Sequence, residues 1–228
     1  AFPSYGSASI FTWTGLGGYA SAAASNSGNA TATGLDGGEG DDTIGNTDTI
    51  TVRSKTDGAA GAATFTAGFD VSTFTSDFTT TTIAKGISGG AGNDTIVSEG
   101  ALDIKGGSIG ETSGRGVLRL FGYLDASSAT DITAEAAGVD GGEGGDSIRT
   151  SDSVTVTAYT KGSANNYTLD LSGAKIYDAS ATGLAAAKGI DGGSDDDTIT
   201  NEGVFTILSQ SETMERGESA PSLTINLI

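Results

Sequence analysis

The chain has 228 residues, of which 29 are acidic and 11 basic, and its formal net charge is −18. This balance argues against a nucleic-acid partner, because phosphate binding needs a basic surface. The absence of Cys and His excludes disulfides, thiolate metal sites and any Ser–His or Cys–His nucleophile. No apolar run reaches the roughly 20 residues of a membrane helix, so we expect no membrane insertion.

Taken along the chain, a glycine–aspartate block recurs four times. The first copy reads GLDGGEGDDTI from Gly34, and the others begin 52, 52 and 51 residues further on, at Gly86, Gly138 and Gly189. A fixed period of this size is typical of repeat architectures. We therefore predict a single repeat array over 1–228. Its repeats fall at about 9–63, 64–116, 117–166 and 167–221, and 222–228 begins a further strand zone.

Aliphatic residues hold fixed positions around each block. The first copy has Leu35 and Ile44, then the alternating triplet Ile50-Thr51-Val52. Alternation of this kind predicts a strand with one buried face. The same positions are aliphatic or aromatic in the other copies, so we expect the strands to stack from repeat to repeat. The equivalents are Ile87, Ile96, Leu102 and Ile104; Val139, Ile148, Val154 and Val156; and Ile190, Ile199, Phe205 and Ile207.

A second strand zone is predicted ahead of each block, beginning at Ser9, Thr64, Val117 and Tyr167. The stretches between strand zones (KTDGAAGAA, KGGSIGETSGRG, KGSANN and SQSETMERGESAP) vary in length and are rich in Gly, Ser and Asn. Such composition predicts surface loops. The short segments ATATG, AEAAG and LAAAKG align with one another. We interpret all three as one strand, because aligned copies should share a conformation.

These elements predict an all-β fold, a parallel β-solenoid-like array of about four and a half stacked repeats. An antiparallel sandwich or a set of tandem small β domains stays open as an alternative, because VTVTAYT-KGSANN-YTLDLSG is typical of a hairpin. A period of 52 residues is also long for one coil. Each repeat could therefore contain more than one coil or a protruding hairpin.

The core of the block resembles the G-G-x-G-x-D-x-U-x nonapeptide of RTX-type (haemolysin-type) calcium-binding repeat proteins, where U is a large aliphatic residue. The matching segments are 37–45, 89–97, 141–149 and 192–200, and the fourth has Asp195 at a glycine position. In that family the nonapeptides run in tandem, whereas here each block stands alone in its repeat.

The resemblance implies Ca²⁺ held by block carboxylates and glycine carbonyls. Calcium takes about six to eight oxygen ligands, and glycines let the backbone turn its carbonyls inward. The alternative is a set of tight turns whose Asp side chains bond their own backbone. The implied carboxylates are Asp42, Asp94, Asp146 and Asp197, and the implied carbonyls belong to Gly37, Gly89, Gly141 and Gly192. Asp36, Asp140 and Asp191 could add oxygens, with Ser88 at that position in the second copy.

We expect an extracellular or cell-surface structural protein that calcium stabilises and that associates with copies of itself, head to tail, into a fibre or appendage. One alternative is a stalk segment of a large calcium-binding adhesin or toxin-like secreted protein. A second is a polysaccharide-modifying enzyme module. The acidic residues recur in four near-equivalent turns, whereas a catalytic site is normally single, so we expect no enzyme. A surface or carbohydrate target stays open.

Overall fold

The computed structural model describes residues 4–14, 18–66, 68–118, 120–170 and 175–219, and their regular structure is entirely β. No helix among these residues is long and apolar enough to cross a membrane. The strands are β1 (Ser4–Thr14), β2 (Tyr19–Glu39), β3 (Thr43–Asn46), β4 (Ile50–Thr66), β5 (Gly68–Ala91), β6 (Thr95–Ser98), β7 (Leu102–Leu118), β8 (Leu120–Glu143), β9 (Ser147–Thr150), β10 (Val154–Asp170), β11 (Lys175–Gly193), β12 (Thr198–Asn201) and β13 (Phe205–Ser219).

The strands form three parallel sheets. Sheet A has the order β1-β4-β7-β10-β13, sheet B the order β11-β8-β5-β2, and sheet C the order β12-β9-β6-β3. Ile50 pairs with Leu102, and Val154 pairs with Phe205, so neighbouring strands are one sequence period apart. The predicted parallel β-solenoid-like array is confirmed, and each repeat is a single coil.

One coil accommodates a whole repeat because two of its three strands are long. In the second coil, β5 has 24 residues, β6 has four and β7 has 17. Sheets A and B lie face to face, and Thr56 Oγ1 of one is 2.6 Å from Thr82 Oγ1 of the other. Sheet C closes one end, which we call the narrow end. The coil is therefore flat and wide, without a protruding hairpin in the described ranges.

The prediction of Gly-rich surface loops is wrong. KTDGAAGAA lies within β4, KGGSIGETSGRG within β7 and KGSANN within β10, and the described part of the fourth stretch lies within β13. Gly58 and Gly110 face the ring of Phe78, and Gly114 faces Phe74. Glycine therefore marks close approach between the two long sheets at these points. The Ala-rich segments lie in β2, β8 and β11, as predicted. Residues 222–228 lie outside the described ranges.

Two apolar cores lie inside the coils, one enclosed by all three sheets and the other between sheets A and B. The one near the narrow end contains the predicted aliphatic columns, and Ile148 and Val156 are only 1% and 0% exposed. The second contains alanines around Phe74 and Phe78. Among the described strands β12 lies at the edge of sheet C, and Ile199 in this strand is 47% exposed. Stacking in register thus buries the middle coils and leaves the end coils open.

Candidate metal centre

The glycine–aspartate block forms the turn from a long strand of sheet B into a short strand of sheet C. Gly38 and Gly40 have φ angles of 99° and 104°, which glycine adopts without the steric cost a side chain imposes. In the fourth copy Asp195 takes the glycine position with φ 75°, a conformation that Asp tolerates better than most residues. Equivalent positive φ angles occur at Gly90, Gly92, Gly142, Gly144 and Gly193.

The four block aspartates form a column through the coils, which we call the inner ladder: Asp42, Asp94, Asp146 and Asp197. The backbone N–H of Asp42 donates to Asp94 Oδ1 at 2.7 Å, and that of Asp94 donates to Asp146 Oδ1 at 2.8 Å. Asp146 donates in the same way to Asp197 at 2.9 Å. The carboxylates of Asp94, Asp146 and Asp197 therefore join neighbouring coils, and the alternative in which they bond their own turns is wrong for these three Oδ1 atoms.

A second column runs beside the first, and sequence reasoning missed it. Asn93 N donates to Asp41 Oδ1 at 2.8 Å, and Gly145 N donates to Asn93 Oδ1 at 2.9 Å. We call Asp41, Asn93, Gly145 and Asp196 the outer ladder. Its bonds run in the opposite sense to those of the inner ladder, so each of the first two coil junctions is held from both sides. Gly145 has no side chain to accept from Asp196. The signal in the sequence was the Asp or Asn directly before three of the block aspartates.

The other carboxylate oxygen of the inner ladder has no hydrogen-bond partner. Oδ2 is buried and unpaired in Asp42, Asp94 and Asp146, and Asp94 and Asp146 are 1% and 2% exposed. An ionised carboxylate buried without a partner is strongly unfavourable. Within the described ranges these three are the buried side-chain oxygens without a hydrogen-bond partner, and a bound cation or a proton would remove this unfavourable state.

Backbone carbonyls lie next to these oxygens. Gly141 O and Asp94 Oδ2 converge on the α-carbon of Gly89, in the space that a side chain would occupy. The same pairing of a carboxylate with the carbonyl of the following coil occurs at Gly37 and at Gly141. The structure thus pairs Asp42, Asp94 and Asp146 with the selected glycine carbonyl of the following coil. It shows no such partner for Asp197 or for the Gly37 carbonyl in the described ranges.

The environment raises the pKa of the Asp146 carboxyl above its ordinary value. Burial is the largest cause, and the negative charges of Asp94 and Asp197 add to it, against the opposing effect of the Asp94 N–H. The folded state therefore holds this proton more tightly than the unfolded state. Without a cation, the contribution of Asp146 to stability falls as the pH rises from the ordinary carboxyl pKa through the raised one.

The three additional candidate ligands lie in the long strands of sheet B, ahead of the turns that carry the inner ladder. Asp36, Ser88, Asp140 and Asp191 form one register column in sheet B. Asp140 pairs with Lys85, and Asp191 pairs with Lys188. Both pairs line a cavity of about 230 Å³. Lysine ammonium groups therefore already neutralise two of these three carboxylates.

The composition of the site limits what it could bind. In the described ranges, no three acidic side chains converge as a metal-binding group. A cation at the inner ladder would therefore need backbone carbonyls and water to complete its shell. Comparison with known proteins adds nothing further, because no protein-family model, curated protein or solved structure matches this chain.

Proposed function

We propose that this chain is a calcium-stabilised structural repeat array of an extracellular or cell-surface protein. The observation that carries the proposal is the column of buried, unpaired Oδ2 atoms of Asp42, Asp94 and Asp146. Strands of neighbouring coils lie about 4.8 Å apart, so unneutralised carboxylates in this column repel one another. Divalent cations between the coils would remove both the repulsion and the unpaired charge.

Calcium fits the donor set better than other common metals. The converging atoms are a carboxylate oxygen and a backbone carbonyl oxygen, as at Asp94 and Gly141. Calcium prefers such hard oxygens and accepts irregular geometry, whereas zinc and copper favour sulfur and imidazole ligands. Each ion would join two coils, so ion binding and coil stacking would be coupled.

The proposed role is structural because the site is repeated along a uniform array. The same array supports self-association, since β11, β12 and β13 at one end and β1, β2 and β3 at the other are open sheet edges among the described strands. The edge at the last coil also exposes Leu184 and Ile207, at 60% and 48%. Open edges of this kind pair readily with further strands. We propose that copies join there head to tail, in which case the contact repeats without closing.

A stalk segment of a longer calcium-binding adhesin or toxin-like secreted protein is the second candidate. The same open edges favour it, because further coils of one chain would cover them equally well. The two candidates differ in the partner that covers the edge. Both retain calcium as the stabilising ion.

Thermal unfolding with calcium and with a chelator tests the calcium proposal. At a calcium concentration about 100 times Kd, one site adds about 2.7 kcal/mol, which corresponds to a Tm rise of roughly 5–10 °C for a chain of this size. Asp94→Asn should lose a large part of this rise. Asp103→Asn is the matched control, because Asp103 lies on the surface beside Arg53. Equal calcium shifts in both variants, or none in the wild type, would overturn the proposal.

The direction in which Tm changes with pH gives an independent test of the calcium proposal. In chelator, Tm should fall as the pH rises through the raised pKa of Asp146, and Asp146→Asn should weaken this fall. Saturating calcium should reverse the trend, because the ion binds the ionised carboxylate.

Sedimentation velocity with calcium tests association separately. A chain that stays monomeric at high concentration would remove the head-to-tail half and leave the calcium half intact.

A further inference from the structure

The solvent-facing side of sheet A carries a groove that crosses the strands. Ser9, Gly61, Ser113 and Asn165 occupy the same register position in four successive strands, so they form a column perpendicular to the chain direction. Cavities of about 410 and 350 Å³ lie over this column and share Ser113 and Arg115. We call them together the sheet A groove. The groove lies below the neighbouring side chains because three of the four residues in this column are Ser or Gly.

One wall of the groove is formed by the next outward column, Phe11, Ala63, Arg115 and Tyr167. Phe11 is 68% exposed and Tyr167 is 48% exposed. Both rings lie open to solvent on the same face of the sheet and offer apolar surface to a ligand. They flank Arg115, which lies directly beside Tyr167 and is separated from Phe11 by Ala63.

Arg115 differs from four of the other cations on this face, while a fifth, Arg216, lines the same groove. Arg53 pairs with Asp103 at 3.4 Å, Lys55 with Asp57 at 3.1 Å and Lys161 with Glu212 at 3.7 Å, while Lys105 lies 5.3 Å from the centre of the Tyr159 ring. Within the described ranges no carboxylate forms an ion pair with Arg115, although Glu111 also lines the groove. An unpaired guanidinium stands out in a chain of charge −18.

We propose that the sheet A groove binds a linear acidic polysaccharide, with a uronate carboxylate on Arg115. A guanidinium matches a carboxylate with two parallel hydrogen bonds. Ser113 and Asn165 offer a hydroxyl and an amide to sugar hydroxyls, and the rings of Phe11 and Tyr167 offer apolar faces to sugar rings. The column runs across successive strands, so an extended polymer would lie along the axis of the array.

An acidic peptide fits the groove less well. Extended peptides bind sheets mainly by adding a strand at an open edge, and the groove lies on the face, where the five strands of sheet A already bond to one another. The face offers side chains alone, so most peptide N–H and C=O groups would stay unpaired. Sugar hydroxyls require only scattered polar side chains. This proposal does not depend on calcium binding by the inner ladder.

Isothermal titration with a short, de-esterified oligogalacturonate tests the proposal, and the methyl-esterified oligomer serves as the uncharged probe. Arg115→Gln should weaken binding about tenfold or more, because charged hydrogen bonds are worth about 1.5–3 kcal/mol. Tyr167→Ala should weaken it by a smaller factor. Lys161→Gln removes the same charge from the same face, outside the groove, and should leave the affinity within about twofold. Circular dichroism checks that each variant is folded.

Four results would overturn the proposal. The first is no binding of the acidic oligomer by the wild type. The second is equal weakening by Arg115→Gln and Lys161→Gln, which would indicate general charge attraction. The third is equal affinity for the esterified and de-esterified oligomers. The fourth is equal affinity for an acidic peptide of the same charge, which would remove the carbohydrate specificity. Failure here leaves the calcium measurements unaffected, because those measure stability.

Discussion

The narrow end of each coil and the broad sandwich of sheets A and B follow different rules. At the narrow end one register position holds glycine of positive φ in all four described copies: Gly38, Gly90, Gly142 and Gly193. In the sandwich one register position holds Asn26, Phe78, Thr130 and Ala181 in successive coils. Every coil must form the same turn, so the backbone conformation and charge at the narrow end restrict the residue type in each coil separately. In the sandwich only the total side-chain volume between the two sheets is fixed, so glycines on the facing sheet make room for a large ring in one coil.

Gly90→Ala should have the largest effect, because it breaks the rule of the narrow end. Gly90 has φ 111°, and an added Cβ would collide with the backbone of Gly38. We expect a loss above about 4 kcal/mol, which combines backbone strain with displacement of a coil. Chemical denaturation measures it.

A glycine series separates the two causes. Gly38 has φ 99° and open space where a Cβ would be added, so in Gly38→Ala backbone strain alone should cost about 1–3 kcal/mol. Gly45 has neither a positive φ nor a neighbour within 4 Å, and Gly45→Ala should be close to neutral. Equal losses for Gly90→Ala and Gly45→Ala would contradict this account of the narrow end.

Phe74→Ala should come next, because it empties space in the sandwich. Phe74 is 1% exposed, and removing a buried Phe side chain costs about 3–5 kcal/mol. Phe11→Ala is the exposed control. Gly114→Ala alone should destabilise the fold, since its Cβ would collide with the Phe74 ring. In the Phe74→Ala background the collision with the ring is gone and only the close approach to Asn166 Oδ1 is left, so Gly114→Ala should cost less there. A double-mutant cycle measures this coupling. Simple additivity would refute complementary volume as the rule.

Gly145→Asn should have the smallest effect and should stabilise the chain. It completes the outer ladder by offering an acceptor to the N–H of Asp196, in the way that Asn93 accepts from Gly145. One added hydrogen bond is worth about 0.5–1.5 kcal/mol, and Asp196 O must move slightly from its 3.1 Å approach to the added Cβ. Gly45→Asn is the control at an open position. A loss of stability specific to Gly145→Asn would show that the outer ladder does not hold the coils together.

The same contrast explains what could be predicted from the sequence. Period, fold class and aliphatic columns depend on residue types that recur, so one sequence was enough to predict them. The pairing of the block aspartates with glycine carbonyls of the next coil was implied by the resemblance to RTX-type nonapeptides. The long strands were missed because Gly58 and Gly110 were interpreted by local propensity, whereas their role depends on Phe78 from the facing sheet. The lysine partners of Asp140 and Asp191 were also missed. Lys188 lies only three residues before Asp191, whereas Lys85 comes from the coil next to that of Asp140 and needs the stacking register to be seen.

The one-coil repeat also determines how the chain would respond to force. Neighbouring strands in every sheet are 51 or 52 residues apart in sequence, so tension along the axis acts on one coil junction at a time. Each coil that peels away would release about 52 residues, or on the order of 170–190 Å of extended chain. Because the inner ladder joins each coil to the next, the array would lengthen in steps of similar size. The mechanical work would be dissipated over many small breaks.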